Sequence, residues 1–191
     1  MNIVDSQIAY KGHFKMMKYT VRNENGKTYL EECFERGHAV AAVVWDSNIQ
    51  RFIFTKQFRI GAASDSQGTK TELIEIVAGS MDKENETPVQ ALVREIEEEL
   101  GYRVSEEDNN ITHIASVYVS PGGTSEKVHI YLVEVSQKVS EGGGVEDENI
   151  SIVEMTAPEV LNWMPEIDDA KTFLGVLYIM NKLNYLPKNN I

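Results

Sequence analysis

At 191 residues, with 42% hydrophobic and 25% charged, the chain has the makings of one globular domain, or a core domain with a small appendage, that buries an apolar core without staples. A formal net charge of −12 argues against a nucleic-acid partner, because neutralising phosphates calls for a basic face. Apolar runs such as AVAAVVW fall far short of the roughly 20 residues that cross a bilayer, the opening residues show no basic-then-apolar leader, and the lone Cys33 excludes an internal disulfide; no membrane contact and a cytoplasmic location are expected.

The opening third reads as strands. Residues 14–22 and 28–34 flank Asn23-Glu24-Asn25-Gly26-Lys27, whose Asn-Gly supplies the positive φ values of a tight hairpin. A second pair, 39–45 and 51–57, surrounds Asp46-Ser47-Asn48. Its first member is apolar on both faces, as a central strand is. Residues 60–71 are small and polar and read as a loop leading into a short strand over 73–77.

A helix follows over 88–100. Thr87 is placed as N-cap, Pro88 at the first helical position and Gln90 as the capping-box partner, and Gly101 stops it. Val89, Leu92, Val93, Ile96 and Leu100 recur at helical spacing and form one apolar stripe. Strands are predicted over 111–119 and 128–135, joined by 120–126, and over 150–155 after the glycine-rich, mobile-looking loop at 142–144. Two helices close the chain, 157–164 after the cap Thr156, and 168–184. The mixture is α+β, a mixed sheet with helices packed on it.

Glu95, Glu98 and Glu99 lie three and four apart, on one face of the predicted helix. Like charges so placed repel by a few tenths of a kcal/mol per pair. Taken alone, such a run is a solvated acidic face; the alternative is a seat for a hard divalent cation, which takes oxygen ligands and bridges carboxylates to phosphates. The flanking residues favour the second. Residues 79–102, GSMDKENETPVQALVREIEEELGY, resemble the Nudix box: a Gly, five residues, a Glu, seven residues, then Arg-Glu, an aliphatic, any residue, Glu-Glu, any residue, Gly and a hydrophobic. Every position from Glu86 onward matches, and six residues rather than five separate Gly79 from Glu86.

The resemblance implies a Nudix α/β/α sandwich with a mixed sheet, plus a small N-terminal antiparallel sheet, with residues 1–36 as the strand region and 37–191 as the Nudix domain. It implies Glu95 and Glu99 as direct metal ligands, Glu98 as a further ligand and the carbonyl of Ala78 as a backbone ligand. Glu86 and Arg94 then brace the loop against the helix. The implied cofactor is two or three Mg²⁺ or Mn²⁺ ions.

Four further stretches, RGHAV at 36–40, KQFRI at 56–60, ELIEIVAG at 72–79 and SPGGTSE at 120–126, resemble the ADP-ribose pyrophosphatase and GDP-mannose hydrolase branch. A Pro-Gly turn, here Pro121-Gly122, marks sugar-nucleotide substrates in that branch. Arg59 is the implied contact to the diphosphate or sugar, and a permanently charged fork suits phosphate oxygens. Glu126 is the implied contact to a terminal ribose or a water. The acidic loop GVEDENI at 144–150 resembles the one that carries the general base and the last metal ligand, with Glu146 as base and Glu148 as ligand or the reverse. Loop closure over substrate would bring the base to the attacking water. In this branch the N-terminal strands swap across a homodimer, with Phe34 and Arg36 as base contacts. The leading expectation is hydrolysis of ADP-ribose to AMP and ribose 5-phosphate. GDP-mannose is the alternative, which residues 169–172 and the acidic loop resemble slightly more, and a nucleotide-sensing module without catalysis is the alternative of another class.

Overall fold

The structure, a computed structural model, describes residues 1–66, 68, 70–107, 109–145 and 148–185. Three strands, β1 (Asn2–Lys11), β2 (Lys15–Arg22) and β3 (Thr28–Glu35), form an antiparallel sheet in that order. The β2–β3 hairpin turns where Asn23 Oδ1 accepts from the N–H groups of Asn25 and Lys27 at 3.0 Å, and Gly26 takes a φ of 80°. β1 falls in the strand region 1–36 that the resemblance implied, but its own bounds were not placed: its ten residues are all exposed, so no alternation of buried and solvated positions announces it.

The larger sheet runs β10-β5-β4-β9-β8, with β6 on β5 and β7 on β4. Its strands are β4 (Ala39–Asp46), β5 (Arg51–Phe58), β6 (Glu72–Glu75), β7 (Val77–Ser80), β8 (Ile111–Tyr118), β9 (Lys127–Val135) and β10 (Ser151–Met155). β4 pairs parallel with β9 and antiparallel with β5 and β7, which makes the sheet mixed. Because strand side chains alternate, Val40, Ala42 and Val44 enter one core and Ala41 and Val43 the other. On the first face α2 (Pro88–Glu95) and the turn that continues it bury Ala91, Leu92, Ile96 and Leu100. On the second, α3 (Ala157–Trp163) and α4 (Ala170–Lys182) bury Val160, Val176, Ile179 and Met180. Each of the larger side chains so buried contributes roughly 1.5–3 kcal/mol, and the result is the helix–sheet–helix sandwich expected of the sequence.

Two local differences matter for the site. The single strand predicted over 73–77 is two strands, β6 on β5 and β7 on β4. The break falls at Ile76, whose N–H donates to Thr172 Oγ1 at 3.0 Å instead of to a ladder partner. The segment predicted as loop over 60–71 opens with one short helical turn, α1 (Ile60–Ala63). No helix among the described residues is long and apolar enough to cross a membrane.

Candidate active site

The acidic helix begins as the residues dictate. Thr87 Oγ1 accepts from the N–H of Gln90 at 3.2 Å while Gln90 Oε1 accepts from the N–H of Thr87 at 3.0 Å, a closed capping box with Pro88 inside it. Its second half departs from the predicted α-helix: Ile96–Leu100, carrying Glu97, Glu98 and Glu99, is a π turn that ends at Gly101 with φ 76°. π turns inside helices gather at functional sites.

Arg94 is the hub on this helix. Its guanidinium donates to Glu86 at 3.0 and 3.3 Å, to Glu95 at 2.6 Å, to Glu98 at 3.1 Å and to the carbonyl of Ser80 at 3.2 Å. One cation thus ties the loop to the helix and holds two of the three glutamates that lie on its face. The extra residue between Gly79 and Glu86 leaves the Glu86–Arg94 pair intact, and Asn85, just before Glu86, adopts a left-handed φ of 64°. Gly79 lies directly under Glu95, and a Cβ there would sit 1.8 Å from the Glu95 carboxyl carbon. Only glycine leaves room for that carboxylate.

Glu99 is 4% exposed, and its Oε2 takes no hydrogen bond among the described residues. Burial, reinforced by the neighbouring charges of Glu95 and Glu148, pushes its carboxyl up to about 8 from an ordinary 4.5, against the pull of Arg59 and a bond from the backbone of Ala78. Burial also raises Glu95, opposed by Arg94. A buried, unpartnered oxygen among like charges is costly unless something positive joins it.

Arg59 comes to the site from the end of β5. It is fixed by the buried Glu75 of β6, whose Oε2 accepts from Arg59 Nε at 2.9 Å and from a terminal guanidinium nitrogen at 2.5 Å. Lys171 Nζ lies 3.2 Å from the same oxygen and 3.0 Å from Asp169, and Asp169 caps α4 by accepting from the N–H of Thr172 at 2.9 Å. Glu75 and residues 169–172 entered the sequence reading only inside stretches of resemblance, with no chemical role for Glu75, Asp169, Lys171 or Thr172. A carboxylate set between apolar neighbours, Glu75 in LIEIV, was the available signal.

A second group assembles where β4 and β9 begin and β7 ends, since Ala39 pairs with both Ser80 and Val128. Arg36 Nε lies 3.5 Å from Glu126, and the guanidinium stands 5.3 Å from the centre of the Phe14 ring. Phe14 meets Phe34 edge to face at 5.4 Å, and the Phe34 N–H donates to the carbonyl of Gly123 at 2.8 Å. The turn holding Pro121 and Gly122 is therefore tied to β3. Gly122 itself has open space around it.

The acidic loop is anchored, not free, at its start. Gly143 and Gly144 donate their N–H groups to the carbonyls of Glu99 and Glu98 at 2.8 and 3.1 Å, which corrects the expectation of a mobile glycine segment: helix-end carbonyls lacking internal partners hold it. Glu148, close enough to raise Glu95 and Glu99, accepts from the N–H of Val145 at 3.0 Å. Glu146 lies outside the described residues. Among those described, no three His, Cys, Asp or Glu side chains converge closely enough to hold a cation as they stand; Arg94 draws Glu95 and Glu98 to itself instead.

A mixed sheet between helices, with an arginine-braced acidic helix lying on one face, is the organisation of a Nudix domain. Residues 35–174 match the family model described as NUDIX domain, and the chain belongs to that family, the Nudix hydrolases. It is 32% identical over 188 residues to a GDP-mannose pyrophosphatase of Citrobacter koseri, covering 94% of each chain. To a GDP-mannose pyrophosphatase of Salmonella arizonae it is 30% identical over 187 residues, again 94% of each. The crystal structure of an ADP compounds hydrolase superposes with a TM-score of 0.76 at 18% identity, covering 96% of this chain and 94% of that one, and so shares the fold.

Proposed function

We propose that the chain hydrolyses the diphosphate bond of a nucleoside diphosphate sugar in a reaction that needs a divalent cation, with GDP-mannose as the first substrate and ADP-ribose as the second. The carrying observation is the unpartnered, buried Oε2 of Glu99 beside Glu95 and Glu148. A hard carboxylate oxygen with no hydrogen-bond partner among the described residues suits Mg²⁺ or Mn²⁺, and Glu99 with Glu148, the backbone of Ala78, and Glu95 and Glu98, which Arg94 also bonds, are the residues that would hold it. Bound there, the cation would offset the charge of the diphosphate oxygens and make a neighbouring water easier to deprotonate.

The remaining work falls to the chain's own groups. Arg59, held by Glu75, presents a fixed fork to the diphosphate. Arg94 and Glu86 keep the helix and its loop in register. Glu146 or Glu148 takes the proton of the attacking water, which requires a carboxylate within about 3 Å of it. Phe34 and Arg36 hold the base, and Glu126 with the turn at Gly122 faces the sugar. GDP-mannose is placed ahead of ADP-ribose because the relatives above carry that substrate in their names.

The first sheet supports a homodimer. Ile3, Ile8, Tyr10 and Leu30 are more than half exposed on it, apolar area that a second copy would cover. Light scattering on the eluting protein at twice the monomer mass is the expected result. Specificity constants for GDP-mannose, ADP-ribose, ADP-glucose and UDP-glucose, with each monophosphate product quantified, test the substrate order. A preference for GDP-mannose of about tenfold supports it, and turnover of none of the four refutes the activity.

A further inference from the structure

The segment after β9 runs back along the end of the acidic helix. Gly101 accepts at its carbonyl from the N–H groups of Val139 and Ser140, at 2.7 and 3.2 Å. Gly143 and Gly144 then donate to the carbonyls of Glu99 and Glu98. These are carbonyls of the turn whose side chains form the acidic face, so the clasp grips the backbone of the same two residues that present carboxylates to the site.

Gly142 shows how tight the fit is. Its φ is 69°, and a Cβ there would lie 2.5 Å from the Glu99 carbonyl oxygen and 2.7 Å from the Leu100 carbonyl carbon. Backbone lies against backbone, and nothing flexible can yield. On the far side of the clasp, a Cβ on Gly144 would lie 2.5 Å from Glu148 Oε2, while the N–H of Glu148 donates to the carbonyl of Val145 at 3.1 Å. The same short glycine run therefore touches Glu98 and Glu99 through their carbonyls and Glu148 through its side chain.

We infer that residues 142–144 are positioning residues for the cation site: their backbone fixes the π turn bearing Glu98 and Glu99 and, in the same grip, sets Glu148 beside it. The glycines touch no substrate. They act by holding three carboxylates, from two separate stretches of chain, at one spacing. A turn capped merely for stability would need the hydrogen bonds but not the common anchoring of Glu148. This inference rests on the proposed function, since it takes those carboxylates to be cation ligands.

The test is Mn²⁺ binding measured by calorimetry, with turnover measured alongside, for Gly142→Ala, Gly143→Ala and Gly26→Ala. Gly26 shares the left-handed φ, at 80°, with nothing within 4 Å and a place in the remote hairpin, so it controls for backbone strain alone. Gly143 has no neighbour closer than 3.6 Å at the added position, so its variant strains the clasp without a collision and is the one to rely on should Gly142→Ala fail to fold. Both clasp variants are expected to weaken Mn²⁺ binding about tenfold or more and to lower kcat, with the KM for GDP-mannose at saturating Mn²⁺ changed less than about twofold, and Gly26→Ala to match the wild type. Wild-type Mn²⁺ affinity in a folded clasp variant overturns the inference. So does a fall in thermal stability of Gly143→Ala without selective loss of Mn²⁺ binding. A wild-type protein that binds no Mn²⁺ and cleaves no sugar nucleotide defeats the proposed function instead.

Discussion

Replacing Glu99 by Gln should separate the stability of the fold from its chemistry. Glu99 is buried with a carboxyl that keeps its proton to about pH 8, whereas in the unfolded chain it releases it near 4.5. Between those values the folded state binds more protons than the unfolded one, so stability falls as pH rises through the interval and levels off above it. At about 1.4 kcal/mol per pH unit of that interval, ionising Glu99 costs the cation-free fold up to ~5 kcal/mol. Urea unfolding in chelator at about pH 5, 7 and 9 should show the wild type losing stability and Glu99→Gln holding nearly level. Added Mn²⁺ should restore the wild type at the highest pH and do little for the variant. Turnover of Glu99→Gln should fall by orders of magnitude. Parallel pH curves for the two proteins in chelator would show that Glu99 is not the buried, unpaired group described above.

Glu75→Gln leaves Arg59 and Lys171 without their shared anion; a loss of about 2–4 kcal/mol in urea unfolding and a raised KM for the sugar nucleotide are expected, and an unchanged KM would free Arg59 of the role given to it. Gly79→Ala places a methyl group where the Glu95 carboxylate lies, so kcat should drop about a hundredfold while folding survives; full activity would mean that Glu95 is free to leave. Tyr102→Phe removes the 2.6 Å bond to the buried Asp46 at the last residue of β4, five residues beyond the Ala41 that pairs with Ala78, and should cost about 1–3 kcal/mol in thermal unfolding with kcat unaltered.

What the sequence disclosed followed the range of its signals. AVAAVVW is apolar at every position because β4 is covered on both faces, and that shows in seven residues. The capping box at Thr87 and the stop at Gly101 are local in the same way, and both stand where the residues placed them. The π turn did not show, because spacings of three and four fit an α-helix equally well, and the N–H groups that take up the carbonyls of Glu98 and Glu99 belong to glycines more than forty residues onward. Glu75 was hidden for a related reason. Its partners, Arg59 and Lys171, come from β5 and α4, and a single carboxylate carries no period. The bounds of β1, inside the strand region expected by resemblance, escaped since a strand exposed on both faces has no pattern to read.

The most direct test of the account is a phosphorus NMR spectrum of GDP-mannose incubated with the purified protein, with Mg²⁺ and then with chelator. With Mg²⁺ the diphosphate signals should give way to those of GMP and mannose 1-phosphate, and with chelator they should persist. Intact diphosphate signals under both conditions, for GDP-mannose and for ADP-ribose alike, would contradict it.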